Sequence, residues 1–204
     1  MTLSDGYHDV PPGKVATVVT HLEMRSKPKT TPIPAPAGWA FRRQLHPSRD
    51  WYLKLFHAVG DNWLWFGRTI LEANALDTIL QNPKVHVYSL HDENKDGAIL
   101  ELDFRNPGEC ELAYFGLTAP LIGTGAGRYL MNQAIDLAWS QDITRFHVHT
   151  CTLDSPQALG FYRRSGFTPY RQNIEVADDP RVVHGYSRTL APHVPIYDAD
   201  SKHS

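Results

Sequence analysis

A cluster of glycines is the feature of this sequence whose residue types point most directly to chemistry. The segment Ile122–Arg128 reads IGTGAGR and falls between a strand-like stretch and a helix-like stretch. Without Cβ atoms, glycines let backbone N–H groups approach a phosphate, and the dipole of the following helix adds to the attraction. The turn therefore predicts a phosphate ligand, although by itself such a cluster is equally typical of a plain tight turn.

The position of the glycine turn disfavours a nicotinamide-dinucleotide site. Such a site places its glycines after an early strand, with an acidic residue about 20 residues further on at the end of the next strand. Here the glycines come late, after an antiparallel hairpin, and the next strand ends near His149.

Two glutamates lie in the strand before the turn, and alternation places Glu109 and Glu111 on the same face. Two nearby carboxylates can raise the pKa of one of them toward neutrality, which suits removal of a proton from an ammonium group. Glu111 is thus the first candidate base, and His149, at the end of the following strand, is the second. The alternative for the glutamates is a solvated strand face.

Two features imitate metal sites. Asp92–Asp103 is similar to an EF-hand calcium loop, but strand-like alternation flanks it where an EF-hand requires helices, so we expect a hairpin turn. His147 and His149 share a strand face but lack a clear third partner, and such pairs are usually structural. We predict no metal, and we expect Cys151 to be a packing residue rather than a nucleophile.

Hydrophobic periodicity predicts the elements that position these residues. We predict helices over residues 48–60, 69–80, 125–140 and 155–165, and strands over residues 15–24, 85–90, 98–104, 109–117, 143–152 and 167–176. Three strands in succession before the glycine turn form an antiparallel meander, whereas the strand, helix and strand around the turn require a parallel crossover. The predicted fold class is α/β (α+β), with a mixed central sheet flanked by helices.

The length of 204 residues predicts a single domain. We expect an N-terminal extension at residues 1–14, an extended proline-rich connection at residues 26–40 and a loosely held tail at residues 190–204.

Charge and composition exclude several classes of function. The formal net charge of −2 leaves no broad cationic surface for nucleic acid or anionic membrane. No apolar run approaches the roughly 20 residues of a membrane helix. With only two cysteines and no secretory opening, we expect a cytoplasmic protein, and a homodimer is the default form of any assembly.

Over residues 85–170 the sequence resembles the GNAT acetyltransferases. Ile122–Gly127 is similar to the family's loop Gln/Arg-x-x-Gly-x-Gly/Ala, with isoleucine in place of the first residue. Asp154–Phe167 is similar to the block Asn-x-x-Ala-x-x-Phe-Tyr-x-x-x-Gly-Phe, with Asp154 at the asparagine position. The resemblance implies that residues 85–170 form an acetyl-CoA-binding core in which the parallel strand pair is splayed.

The resemblance also implies a reaction: direct transfer of acetyl from acetyl-CoA to a primary amine of a small-molecule acceptor in a ternary complex. Tyr162 would be the acid for the departing thiolate, with Glu111 or His149 as base. The cofactor-binding residues would be Phe115, Gly116, Leu117, Ile122, Gly123, Thr124, Gly125, Ala126, Gly127, Arg128, Asp154 and Tyr162.

Several alternatives stay open at this point. Tyr162 also fits a buried structural tyrosine, and the ionised carboxylate of Asp154 cannot donate to the pantetheine arm as the family's amide can. Gly116 is expected to ease a bulge at the splay. The aromatic stretch from Trp51 to Phe66 fits an apolar acceptor pocket or plain core packing. The alternative function is a non-catalytic acyl-CoA-binding sensor with the same fold.

Overall fold

A seven-stranded sheet forms the centre of the protein over residues 3–198, the part of the chain that the computed structural model describes. The strands are β1 (Lys14–Met24), β2 (Ala40–Gln44), β3 (Val85–His91), β4 (Asp96–Asp103), β5 (Glu109–Leu117), β6 (Arg145–Cys151) and β7 (Thr168–Asp178). The helices are α1 (Arg49–Gly60), α2 (Ala73–Leu80), α3 (Ala126–Ala138), α4 (Ala158–Arg164) and α5 (Pro180–Val183), with 3-10 turns at Asp61–Trp63 and Ala119–Leu121. Residues 1–2 of the predicted extension and 199–204 of the predicted tail lie outside the described residues.

The order of strands in the sheet is β2-β3-β4-β5-β6-β1-β7. β5 and β6 pair in parallel, and the other neighbours pair in antiparallel fashion. The antiparallel meander of β3, β4 and β5 and the parallel crossover through α3 are both present. The prediction of a mixed α/β sheet flanked by helices is therefore confirmed.

Two strands occupy places that the sequence did not indicate. β1 comes first in the chain but lies between β6 and β7, where it pairs along both edges. β2 overlaps the predicted extended connection only at Ala40, and no element was predicted for its other residues. It is a short edge strand against β3 in which no residue is fully buried, so it lacks the apolar alternation that marks a strand.

The two faces of the sheet are covered by different helices. Val87 and Ile99 pack in one apolar cluster with α1 and α2, whereas Leu90 and Leu100 pack in another with α3 and α4. Alternate residues of β3 and β4 thus point to opposite layers. Helix α1 begins as predicted, because the Ser48 hydroxyl accepts the Trp51 amide at 3.3 Å. No helix among the described residues has the length and apolar character to cross a bilayer.

The expectation of a loose tail from residue 190 needs correction for residues 190–198. The Arg181 guanidinium is 4% exposed and donates to the carbonyl oxygens of Leu190, Ala191 and Val194 at 3.1, 3.3 and 2.9 Å. Asp179 neutralises the same guanidinium at 2.7 Å. A buried cation with this many acceptors holds the segment in place.

Candidate active site

β5 and β6 separate toward one end of the sheet and leave an opening between them. β5 and β6 pair only through Glu109 with Arg145, Cys110 with Phe146 and Glu111 with His147. Beyond these pairs β5 continues to Leu117 and β6 continues to Cys151, each paired only on its outer side. The inner edges therefore present free backbone amides and carbonyls, to which an extended ligand with amide groups can bond like an added strand.

A bulge in β5 decides which side chains face each side of this opening. The register against β4 shifts between Tyr114 and Leu112, so Ala113 is the extra residue. As a result Tyr114 packs toward α1, on the same side as Glu111, whereas Phe115 packs toward α4. The bulge was expected at Gly116 and lies three residues earlier.

Gly116 has a different structural role. It pairs regularly with Ile99, and a Cβ atom there would lie 2.3 Å from Cγ1 of Val59 and 3.0 Å from the ring of Trp65. Glycine at this position therefore lets α1 and the following loop approach the sheet directly behind the opening.

The glycine turn lies beyond the end of β5 and leads into α3. Gly123 and Gly125 have φ of +81° and +89°, a region that favours glycine, and a Cβ atom at either would meet nothing within 4 Å. Among the described residues the amides of Gly123, Gly125, Gly127 and Arg128 have no protein acceptor. Free amides before open space at a helix N-terminus fit a diphosphate.

The side chains of the turn contribute less than its backbone. Ile122 is 61% exposed, Ala126 is fully buried, and the Thr124 hydroxyl donates to the carbonyl of Leu121 at 2.8 Å. Arg128 is exposed in the first turn of α3.

Tyr162 lies on α4 with its ring enclosed by the rings of Phe115, Phe161 and Phe167. Burial raises the pKa of its phenol, and the nearby charge of Asp154 raises it further. Its hydroxyl has no hydrogen bond to the described residues, and the oxygen is not completely buried. The phenol thus stays protonated and keeps a free donor.

Asp154 closes the turn after β6 by accepting three hydrogen bonds. One oxygen accepts the Thr150 hydroxyl at 2.7 Å and the Cys151 amide at 3.0 Å, and the other accepts the indole N–H of Trp65 at 3.3 Å. Both oxygens are therefore engaged with the protein, and the carboxylate ties the loop after α1 to the end of β6.

Glu111 and His149 form an ion pair on the α1 side of the opening. The distance between Glu111 Oε1 and His149 Nδ1 is 3.5 Å. The contact with His149 lowers the pKa of Glu111, and the contact with Glu111 raises the pKa of His149. The expectation that Glu109 would raise the pKa of Glu111 is wrong, because Glu109 is paired with Arg145 at 3.2 Å instead.

Comparison with known proteins gives the family. The profile of the Acetyltransferase (GNAT) family matches residues 61–167, more than half of the chain. The chain belongs to the GNAT acetyltransferase family. The matched range holds the opening, the glycine turn and Tyr162, so the resemblance seen in the sequence is confirmed.

Solved structures share the GNAT fold at low identity. A GCN5-related N-acetyltransferase from Sphaerobacter thermophilus matches with a TM-score of 0.57 and 14% identity over 93% of this chain and 55% of that one. A GNAT-family protein from Novosphingobium aromaticivorans matches with a TM-score of 0.56 and 14% identity, over 83% of this chain and 68% of that one. An aminoglycoside acetyltransferase from an uncultured soil metagenomic sample matches with a TM-score of 0.50 and 17% identity, over 63% of this chain and 88% of that one. No curated protein matches the sequence.

A buried polar network supports the loop of this GNAT protein beside the opening. Glu101 is fully buried in β4 and accepts the Tyr52 hydroxyl and an Arg68 N–H, each at 2.5 Å. The Arg68 guanidinium also lies 5.0 Å from the centre of the Tyr114 ring. Sequence reasoning missed Arg68 and Glu101. The available signal was a glutamate in the middle of the apolar strand Ala98–Phe104.

The aromatic stretch from Trp51 to Phe66 serves packing at two positions. The indole N–H of Trp51 donates to Asp96 at 2.8 Å, and Trp65 packs against Phe56 and Tyr114 next to Gly116. Trp65 therefore forms part of the wall of the GNAT opening on the α1 side.

The two sequence features that resemble metal sites lie in the turn between β3 and β4 and in strand β6. Asp92 accepts the amides of Asn94 and Lys95 at 2.8 Å in the turn between β3 and β4, so the predicted hairpin is confirmed. His147 is partly buried, and burial lowers its pKa. Within residues 3–198 no group of three or more His, Cys, Asp or Glu side chains is arranged to hold a metal ion.

Proposed function

We propose that this GNAT protein transfers the acetyl group of acetyl-CoA to a primary amine of a small-molecule acceptor by direct attack in a ternary complex. The opening between β5 and β6, with the glycine turn at its end, is the observation that carries the proposal. Location in the cytoplasm and assembly as a homodimer stay predictions.

The shape of acetyl-CoA suits this arrangement. Its diphosphate would accept hydrogen bonds from the free amides of Gly123, Gly125, Gly127 and Arg128, and its pantetheine amides would bond to the inner edge of β5 between Ala113 and Leu117. The thioester would then reach the end of the opening where Tyr162 packs against Phe115. Because Asp154 is engaged by three protein donors, we assign it to holding Trp65 in place.

The chemistry divides between the two sides of the opening. On the α1 side, His149 is the base, because Glu111 raises its pKa and so strengthens it as a proton acceptor. The neutral amine attacks the thioester carbonyl, and main-chain amides near Gly116 stabilise the oxyanion. When the carbon–sulfur bond breaks, the Tyr162 phenol gives its proton to the thiolate, and the ammonium proton passes to His149.

One observation supports a small-molecule acceptor. A structure that shares the fold belongs to an aminoglycoside acetyltransferase, so the fold accommodates a small-molecule amine.

A panel of primary amines tests the proposal. Purified protein is incubated with acetyl-CoA and each amine, free thiol is titrated, and the acetylated amine is identified by mass spectrometry. We expect amine-dependent thiol release and one acetyl group on the amine. Binding of acetyl-CoA without turnover on any amine would favour the sensor function, and an isolable acetyl group on Cys151 would contradict direct transfer.

A further inference from the structure

A cavity of about 170 Å³ lies beside the glycine turn, between the proline-rich connection and two helices. Its wall includes Lys29 and Thr31 from the connection, Arg128 and Asn132 from α3, and Arg164 at the end of α4. Arg128 belongs both to this wall and to the first turn of α3, so the cavity adjoins the proposed diphosphate site.

The proline-rich connection is fixed against α3 at several points. The Asn132 amide donates to the carbonyl of Thr31 at 2.8 Å, and Lys27 Nζ lies 2.7 Å from Asp136 Oδ1. Pro28 packs against the end of α4, where a Cβ atom at Gly166 would come within 3.2 Å of its ring. These contacts hold the connection against α3 and place Lys29 in the wall of the cavity.

The charged side chains that line the cavity are all cations. Lys29, Arg128 and Arg164 are exposed cations, and among the described residues none of them forms an ion pair. None of the described residues in the wall carries a carboxylate. Three unpaired cations around one small cavity repel each other, and a multivalent anion removes that repulsion.

The position of the cavity along α3 matches the structure of coenzyme A. Its adenosine carries a 3′-phosphate that is separated from the diphosphate by one ribose ring. Asn132 lies one helical turn beyond Arg128, which is about 6 Å along the axis. With the diphosphate on the glycine turn, the 3′-phosphate would lie next to Arg128, which lines the cavity together with Lys29 and Arg164.

We propose that this cavity binds the 3′-phosphate of coenzyme A, and that the proline-rich connection is a fixed strap that adds Lys29 to the two helical arginines. The inference rests on the proposed use of acetyl-CoA, and it assigns a binding role to Lys29, which lies outside residues 85–170, and to Arg164, which was not among the expected cofactor-binding residues. It makes the protein selective for CoA over dephospho-CoA, which lacks the 3′-phosphate.

Calorimetric titration with CoA and with dephospho-CoA tests this selectivity without relying on turnover. We expect CoA to bind the wild type at least tenfold more tightly, since charge-assisted contacts are lost with the phosphate. Lys29→Ala and Arg164→Ala are each expected to weaken CoA binding severalfold and to leave dephospho-CoA binding unchanged. Arg163→Ala is the matched control, because Arg163 is exposed on the same helix but does not line the cavity.

The outcomes separate this inference from the proposed function. Equal affinity of the wild type for the two ligands, or equal losses for both ligands in Lys29→Ala and Arg164→Ala, would overturn the cavity assignment and leave the diphosphate site intact. Binding of neither ligand would overturn both proposals. Thermal melting of each variant confirms that these surface substitutions leave the fold unchanged.

Discussion

Glu111 pairs with His147 in the sheet, yet its carboxylate contacts His149, two residues further along β6, at 3.5 Å. Regular pairing of β5 and β6 stops at this point, so Glu111 extends past the last pair toward the opening. The contact raises the pKa of an imidazole at the place where a substrate amine would lose its proton. This contact supports our proposal that His149, assisted by Glu111, is the base.

Glu111→Gln tests that support through the pH profile. The base acts in its neutral form, so kcat/KM rises with pH through the pKa of His149. Removing the carboxylate lowers that pKa, so the acidic limb of the profile should shift to lower pH. The plateau at high pH should fall by about tenfold or less, because a weaker base accelerates less. Glu109→Gln is the matched control, and identical profiles for the two variants would contradict the pairing.

Gly125→Ala tests the glycine turn. At φ +89° an alanine is strained by about 1 kcal/mol although nothing obstructs its side chain. Relief of that strain turns the amides away from the ligand, so we expect CoA affinity to fall by about tenfold. Gly108→Ala carries a similar strain at φ +75° at the other end of β5, and it should lower the melting temperature without changing CoA affinity. Equal affinities in the two variants would argue against the turn as the diphosphate site.

Asp154 is predicted to act on stability through Trp65. Asp154→Ala leaves three donors without an acceptor, and we expect the free energy of unfolding to fall by about 1–3 kcal/mol. Asp154→Asn keeps an acceptor for Thr150 and Cys151 and should cost less. Urea denaturation of Asp154→Asn, Trp65→Phe and the double variant measures the coupling, and strictly additive losses would show that the two side chains act independently.

The buried Glu101 makes Arg68 a sensitive position. Arg68→Leu leaves a fully buried carboxylate without its cation, and we expect a loss of about 3–5 kcal/mol in urea denaturation. Adding Glu101→Gln to that variant should restore part of the lost free energy of unfolding, because a neutral amide then replaces the buried carboxylate. Arg105→Leu removes a half-exposed partner of Asp103 and should cost about 1 kcal/mol or less. Similar losses in Arg68→Leu and Arg105→Leu would show that burial of the pair does not matter.

Local patterns in the sequence predicted most elements of the GNAT core. β5 was predicted over residues 109–117 and occupies these residues, and Ser48 caps α1 as expected. Helix α2 begins at Ala73 rather than at residue 69, because the amides of Thr69 and Ile70 bond to the carbonyl of Phe66 in a preceding turn. Short-range spacing is sufficient for such elements because their apolar periodicity reflects contacts within one layer.

Long-range pairing explains what the sequence did not indicate. The place of β1 between β6 and β7 depends on residues more than 120 positions apart. The extra residue Ala113 in β5 reverses the alternation of the following side chains, and no composition signal marks it. The contact between Glu111 and His149 joins two strands that are separated along the chain by α3. The sequence therefore did not indicate it, and the pKa of Glu111 was expected to rise although the contact lowers it.

The most direct test of acetyl transfer is the rate of amine-dependent thiol release from acetyl-CoA by the wild type and by Tyr162→Phe. Loss of the phenol proton should lower kcat by about a hundredfold or more and leave the KM for acetyl-CoA within a few fold. Tyr170→Phe, which alters a half-exposed tyrosine of β7, should retain full activity. An unchanged kcat in Tyr162→Phe would contradict its role as the acid. A wild type that binds acetyl-CoA but releases no thiol with any amine would contradict acetyl transfer itself.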